Sequence, residues 1–389
     1  MGPNLHIIFW TCLIPVLYTY VIYPLFTILI ARSKKQAKPI QNDEFPSISI
    51  LIAAHNEELV IENKIKSILK ANYPKEKIEV IIGTDQCSDR TNEIVDQYVN
   101  QYENIYHIPF YERSGKIKII NSLYDRAKGD ILILTDANVI LTEDTLTQMV
   151  RHFSKPDVGL VDSHMKNYGM NETGISIPEN SYISIEGQLK NAEGRLWGTM
   201  MGPFGGCFAI RKTLFTKVPV TYLVDDFFLN MCVLEKGKAC INEPKAIVYE
   251  DVSNDLKSEF QRKVRISTGN FQNLQHFITF LFQFNNVSFV FFSHKVLRWI
   301  SPFLLLTSFV ILILTYRESS LNQFIFLTYL SSITIAFIDL LLSKLGIHLK
   351  AFRYMTHFIS MNIALFFGFF RFIKGSKNSV WQRTERLQP

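Results

Sequence analysis

Residues 7–30, IIFWTCLIPVLYTYVIYPLFTILI, carry no charged side chain. As a helix, an apolar run of about 24 residues is long enough to cross a hydrocarbon core of roughly 30 Å. This run constrains the chain more than any other feature, because whatever folds after it must be compatible with a membrane anchor. A cleaved signal peptide fits less well. No Lys or Arg precedes the run, it is too long for the apolar part of a signal, and no small-residue cleavage site follows. Arg32, Lys34, Lys35 and Lys38 follow at once. Cations flanking a span favour the cytoplasm, so the N-terminus is expected outside.

Three more apolar runs lie at 299–316, 322–343 and 352–373, and Asp339 is the exception among the nearly uncharged first two. Counted from a cytoplasmic middle, three crossings leave the tail outside. Yet Arg371, Lys374, Lys377, Arg383 and Arg386 favour the inside. Three resolutions stay open: the last run lies in the interface, 277–292 also crosses, or the charge rule fails. Gln283, Asn285 and Asn286 interrupt 277–292, which favours reading it as an interfacial amphipathic element. The expected organisation is a transmembrane helix at 1–31, a cytoplasmic domain at 44–275, an interfacial segment at 276–298, transmembrane helices at 299–373 and a basic tail at 374–389. The expected location is the cell (inner or plasma) membrane, multi-pass.

The net charge of +6 comes from cations flanking apolar segments, which points to membrane lipids and orientation rather than to nucleic acid. Cys12, Cys87, Cys207, Cys232 and Cys240 form no C-x-x-C pair, which argues against a zinc site or a disulfide scaffold.

Between 44 and 275 the pattern changes. SISILIAA (47–54), EVIIGTD (79–85) and DILILTDAN (130–138) read as strands rich in β-branched residues. Residues 57–72 have Leu59, Ile61, Ile65, Ile68 and Leu69 at helical spacing. A second helix is expected after Asp89 or Ser88, with Ile94, Val95 and Tyr98 inward, and a third over 116–128. Alternating strands and helices imply an α/β fold whose mostly parallel sheet is covered on both faces.

In such sheets ligands bind beyond the carboxyl ends of the strands. His55-Asn56-Glu57 follows the first strand, Asp85 ends the second, and Asp136-Ala137-Asn138 ends the third. Any one of these reads most simply as a cap or turn; three at strand ends weaken that reading. No G-x-x-x-x-G-K-[ST] and no G-x-G-x-x-G follows a strand, which disfavours a P-loop ATPase and a Rossmann dehydrogenase. Asp136 and Asn138 provide two oxygen donors on one turn, suited to a Mg²⁺ or Mn²⁺ that also takes phosphate oxygens.

These residues resemble the family 2 glycosyltransferases of the GT-A fold, in particular the membrane enzymes related to cellulose, hyaluronan and poly-N-acetylglucosamine synthases. ILIAAHNEE is similar to the family's P-x-Y-N-E opening and GTDQCSDRT to D-D-G-S-x-D-x-T. SGKIKIINSL is similar to G-K-x-x-x-L-N, with Lys116 and Asn121, and TDAN stands at the D-x-D. GPFGGCFAIRK resembles the acceptor-side G-G element, VDDFFL the T-E-D-x-x-L base motif, and QRKVRI (261–266) the Q-x-x-R-W. The tail WQRTER (381–386) resembles a terminal element of the same enzymes.

The resemblance implies a UDP-sugar donor. It places uridine on Asp85 and on the backbone near Ala54 and Glu57, and the diphosphate on Lys116. Gln261, Arg262 and Arg265 are also placed on the donor, and the metal on Asp136 and Asn138. Asp226, with Asp225 beside it, becomes the base that takes the proton from the acceptor hydroxyl, with inversion at the anomeric carbon. The acceptor is expected to be a membrane-proximal glycan or a lipid-linked one, in cell-surface polysaccharide synthesis. The alternative is a processive exopolysaccharide synthase that also translocates its polymer. Two departures matter. Asn138 is neutral where the family has a second acid, and Ile266 replaces the Trp that processive synthases have there. Isoleucine offers no flat aromatic platform for a sugar. Simpler roles also stand: Asp225 and Asp226 can serve a helix N-terminus, and Arg262, Lys263 and Arg265 can form a lipid-headgroup patch. A transporter with a nucleotide-sensing domain would need intramembrane charge pairs, where the first two C-terminal runs offer only Asp339. A catalytically dead scaffold would lack Asp136 or Asp226, and both are present.

Overall fold

A computed structural model describes residues 3–34, 44–168, 176–251 and 256–375. Lys35, Lys38, Lys377, Arg383, Arg386 and the WQRTER element lie outside them. In chain order the first elements are α1 (Pro3–Leu17), α2 (Tyr23–Ser33), β1 (Ile48–Ala54), α3 (Ile61–Leu69), β2 (Ile78–Asp85), α4 (Thr91–Val99), β3 (Ile105–Phe110), α5 (Lys116–Arg126), β4 (Ile131–Thr135) and β5 (Ile140–Leu141). There follow α6 (Thr145–Val150), β6 (Val158–Tyr168), α7 (Ser176–Trp197), β7 (Cys207–Arg211), α8 (Asp225–Glu235) and β8 (Ala239–Asp251). The remainder is helical: α9 (Leu256–His276), α10 (Asn286–Val290), α11 (Leu297–Thr315), α12 (Ser320–Lys344) and α13 (Lys350–Ile373).

The chain forms two compact units. One, Ile30–Met170 with Ile185–Ser253, carries the sheet. The other, Met1–Leu29 with Asn171–Ser184 and Asn254–Gly375, is helical. The expected catalytic span 44–275 is thus divided: 176–184 and 256–275 group with the helices. Glu179 on α7 is one reason. It accepts from Lys263 on α9 (2.8 Å) and His357 on α13 (2.8 Å), and Arg262 lies 3.8 Å away. Burial opposes its ionisation, but Lys263, the His357 bond and Arg262 outweigh that and hold the carboxyl well below the usual range.

In the sheet unit the strand order is β3-β2-β1-β4-β7-β6-β8-β5. β1 pairs in parallel with β2 and β4, β2 with β3, and β6 with β8; β7 runs antiparallel to β4 and β6, and β5 antiparallel to β8. Every residue of β1 and of β4 is buried, as a central strand covered on both faces requires. α3 begins only at Ile61, so Leu59 is exposed rather than buried as its spacing suggested. The buried face instead contains Lys64. Asp89 accepts from the Thr91 amide and hydroxyl at the start of α4, but the cap position is Arg90, so Asp89 bonds the first turn from one residue before the cap expected of it.

Among the described residues four helices are long and apolar enough to cross a membrane: Asn4–Ser33, Asn286–Thr315, Ser320–Lys344 and Lys350–Ile373. The first two continue through π-helical turns at Tyr18–Ile22 and Phe291–Val296, where the Thr19 hydroxyl donates to the Ser293 carbonyl (2.7 Å). The segment 276–298 is not one interfacial element. A 3-10 stretch, Ile278–Phe282, ends before Phe284, which has φ 51°. Asn285 then caps a new helix, accepting the Ser288 amide at 2.9 Å in a reciprocal capping box. Asn285 therefore marks a helix start rather than a polar face. Asp339 does not stand alone. Arg353 lies 3.3 Å away and the Thr356 hydroxyl donates to it at 2.7 Å, so the spans do contain a charge pair. Such a pair joins α12 to α13, and a structural contact of this kind does not by itself indicate transport.

Candidate active site

The carboxyl ends of β1 and β2 are joined loop to loop. Asn56 Oδ1 accepts the Ser88 amide (2.8 Å), the Glu57 amide donates to Thr91 Oγ1 (2.8 Å), and the Glu58 amide donates to Asp89 (3.1 Å). Glu58 in turn accepts the Arg90 amide (3.1 Å), and His55 Nδ1 bonds the Asp85 carbonyl (2.6 Å). Asn56 and Gln86 take left-handed φ values of 53° and 49° to make these loops. Ala54 is buried at the end of β1. The result is one stitched wall beside the strand ends.

Asp85, 2% exposed, accepts from Arg113 Nη1 (2.9 Å) and from the amides of Ser114 (2.6 Å) and Gly115 (3.0 Å). It thereby fixes the loop that delivers Lys116. Gly115 stands at φ 79°, a conformation that costs a residue with a Cβ, and α5 starts immediately after it. Lys116 Nζ reaches Asp136 Oδ1 at 2.7 Å and lies 3.9 Å from Asp225 Oδ2. Burial alone would lower its pKa, but Asp136 and Asp225 hold the ammonium above its usual range.

The turn after β4 is held from beneath. Lys64, wholly buried, donates to Thr135 Oγ1 (2.7 Å) and to the Val139 carbonyl (2.6 Å), one bond at each end of Asp136-Ala137-Asn138. Burial pushes its amine down to about 8, with Cys207 and Asp136 pulling the other way. Asp136 is partly exposed, while Asn138 is buried and donates through Nδ2 to Glu250 Oε1 (3.1 Å). Among the described residues no group of three or more His, Cys, Asp or Glu is arranged to hold a metal. Asp136 and Asn138 fit a different arrangement: two hard oxygen donors for an ion completed by waters and donor phosphates, as Mg²⁺ commonly is.

The opposite wall is the loop 200–206. Three buried side chains pin it: Asp162 accepts the Phe204 amide (2.7 Å), Glu193 the Met201 amide (3.2 Å) and Asn230 the Gly202 amide (3.0 Å). Asp162 is balanced by Lys190 at 2.8 Å. α8 begins at Asp225, so both acids lie in its first turn and the cap position is Val224. Asp226 Oδ1 accepts the amide of its neighbour Phe227 at 2.8 Å. Burial pushes the Asp226 carboxyl up to about 7, helped by the charge of Asp225 and opposed by that amide and by Lys116 and Lys190. Gly205 faces it: a Cβ there would lie 2.6 Å from Asp226 Oδ2.

The sheet unit therefore brings together Ala54, Glu57, Asp85, Lys116, Asp136, Asn138, Asp225 and Asp226. Gln261, Arg262 and Arg265 belong to the helical unit, where Arg262 pairs with Glu259 (2.9 Å). Sequence reasoning missed Lys64, Arg113, Asp162, Glu193, Asn230 and Glu250. Only Lys64 left a usable signal, a lysine on the apolar face of α3.

Residues 49–218 match the family described as glycosyl transferase family 2. The "Probable glycosyltransferase YdaM" of Bacillus subtilis is 27% identical over 259 residues, covering 64% of this chain and 61% of that protein. The poly-beta-1,6-N-acetyl-D-glucosamine synthase of Staphylococcus aureus is 27% identical over 262 residues, covering 65% and 61%. The matches thus span about three-fifths of the length of these curated relatives. A mannosyltransferase from Pyrobaculum calidifontis, solved with GDP-Man and Mn²⁺, superposes with TM-score 0.72 at 19% identity, over 94% of this chain and 99% of that one. The fold is the GT-A fold, and the similarity to family 2 glycosyltransferases covers residues 49–218. The resemblance drawn from the motifs is borne out at that level.

Gly205→Ala is expected to leave the fold intact, because the obstructing atom is the mobile end of a side chain, yet to displace the Asp226 carboxylate. Misplacement of a reacting group by about 1 Å can cost on the order of a hundredfold. Unchanged turnover of the purified variant would show that Asp226 has no fixed position to keep.

Proposed function

We propose that this chain is an inverting membrane glycosyltransferase. It moves a sugar from a UDP-sugar to a membrane-proximal glycan or lipid-linked acceptor. The observation that carries this reading is the shared lysine. Lys116 joins Asp136 at the donor-side turn to Asp225 at the start of α8, next to a carboxylate poised near neutrality. Asp85 and the β1 end form the proposed uridine site, with Lys116 directed to the diphosphate. A divalent ion, Mg²⁺ or Mn²⁺, held by Asp136 and Asn138 would offset negative charge on the departing nucleoside diphosphate. Asp226 accepts the proton of the acceptor hydroxyl as its oxygen attacks the anomeric carbon. One displacement with one base inverts that centre.

The similarity to a named polysaccharide synthase supports a glycan product. The alternative, processive polymerisation with translocation, has Ile266 against it, since the aromatic acceptor platform is missing at that position.

The reading is tested by incubating purified full-length protein with UDP-sugars and Mn²⁺ or Mg²⁺ and measuring UDP release. Release is expected, and chelator or Asp136→Ala should abolish it. Full activity in chelator would remove the metal from the mechanism.

A general base with a raised pKa acts only when deprotonated. Activity should therefore fall as pH drops through about 7. Asp226→Asn should fold, bind UDP and lose about 10²–10⁴ in turnover, with a smaller loss for Asp225→Asn. Near-normal turnover of Asp226→Asn with a dead Asp225→Asn would move the base to the other carboxylate.

Residues 31–275 are proposed to face the cytoplasm, from the cations after the first span. A reporter inserted in an exposed loop of the sheet unit, such as 100–104, should read as cytoplasmic. An extracytoplasmic signal reverses the topology.

A further inference from the structure

We propose that Glu250 is a positioning residue that returns, one hydrogen bond behind Asn138, the negative charge that the D-x-N turn lacks. The proposal rests on the metal-assisted reading above and adds to it the origin of the missing charge. Ile140 of β5 pairs with Tyr249 of β8, which brings the end of β8 alongside the turn that β5 leaves. Glu250 is itself held from the other side, opposite Asn167 of β6. Asn138 and Glu250 are 5% and 8% exposed, and Asn138 Nδ2 lies 3.1 Å from Glu250 Oε1.

Two consequences follow from elementary chemistry. An ionised carboxylate only accepts hydrogen bonds, so the amide must present Nδ2 to Glu250 and turn Oδ1 away from it. This settles which amide atom is available as a ligand: the oxygen. An anion bound to the amide N–H also shifts electron density toward Oδ1 and makes that oxygen a better donor to a cation. It is the relation in which a carboxylate behind a ligating histidine orients the ring and raises its basicity. The turn thus presents one charged oxygen donor, Asp136, and one neutral donor backed by a buried charge.

The proposal is tested by Mn²⁺ titration of the full-length protein in detergent with UDP present. Free Mn²⁺ is read by electron paramagnetic resonance and folding by the thermal unfolding midpoint. Glu250→Gln keeps an acceptor for Asn138 Nδ2 and removes only the charge. It should keep its midpoint and weaken Mn²⁺ binding by about tenfold, the lower end for partners of metal ligands. Asn138→Asp alone sets two carboxylates against each other and should bind no better than wild type. Combined with Glu250→Gln, it moves the charge onto the ligand and should restore at least wild-type affinity. The proposal is overturned if Glu250→Gln binds Mn²⁺ like wild type. It is overturned equally if the double variant binds no better than Glu250→Gln, which would mark a purely structural role. If wild-type protein binds no Mn²⁺, the metal-assisted reading fails and the proposal with it; if wild type binds and the variants do not differ, only the role of Glu250 is lost.

Discussion

One ammonium group ties the candidate site together. Lys116 stands at the start of α5, placed by Gly115 and by the loop that Asp85 holds, and reaches both Asp136 and Asp225. Without it, the acids at the end of β4 and the start of α8 would repel across a poorly solvated cleft. It also separates them in character. Asp136 makes the direct contact at 2.7 Å, whereas for Asp226 the pull of Lys116 ranks below the push from Asp225. The same cation thus bonds Asp136 directly, while Asp226, buried beside Asp225, titrates near neutrality. Two carboxylates in one cleft can be set apart in this way by their surroundings.

The central sheet was legible because β1, β2 and β4 are short runs of apolar, mostly β-branched residues, buried along nearly their whole length. Their polar ends were legible for a topological reason: parallel strands point their carboxyl ends to the same edge. β3, β6 and β8 were not. β3 is half-exposed at the sheet edge, and β6 and β8 contain many polar residues whose place comes from pairing with each other. The supports of the site were the least legible. Glu250 lies 112 residues from the Asn138 it contacts, and Gly205 looks like an ordinary turn glycine until Asp226 is seen against it. Lys64 was displaced in the helical pattern by Leu59, whose spacing matched but whose position precedes the helix.

In the helical unit, hydropathy found the four long helices but misjudged their polar residues. Asn285 broke an apolar pattern on paper and starts a helix in space. Asp339 seemed isolated because its partner, Arg353, belongs to the first turn of the next helix. A buried charge in such a segment is expected to have a partner, and here the partner is local to the α12–α13 hairpin.

The loop 200–206 contains Gly202, Gly205 and Gly206, and glycine-rich loops often bind anions by turning successive amide protons toward the ligand. This one is built the other way. The amides of Met200, Met201, Gly202, Phe204 and Cys207 are already bonded, to Cys240, Glu193, Asn230, Asp162 and Phe204 respectively. Four of the loop's own amide protons are thus spent on its support, by side chains from β6, α7 and α8 and by the Cys240 carbonyl, so a ligand beside it meets a wall of set shape.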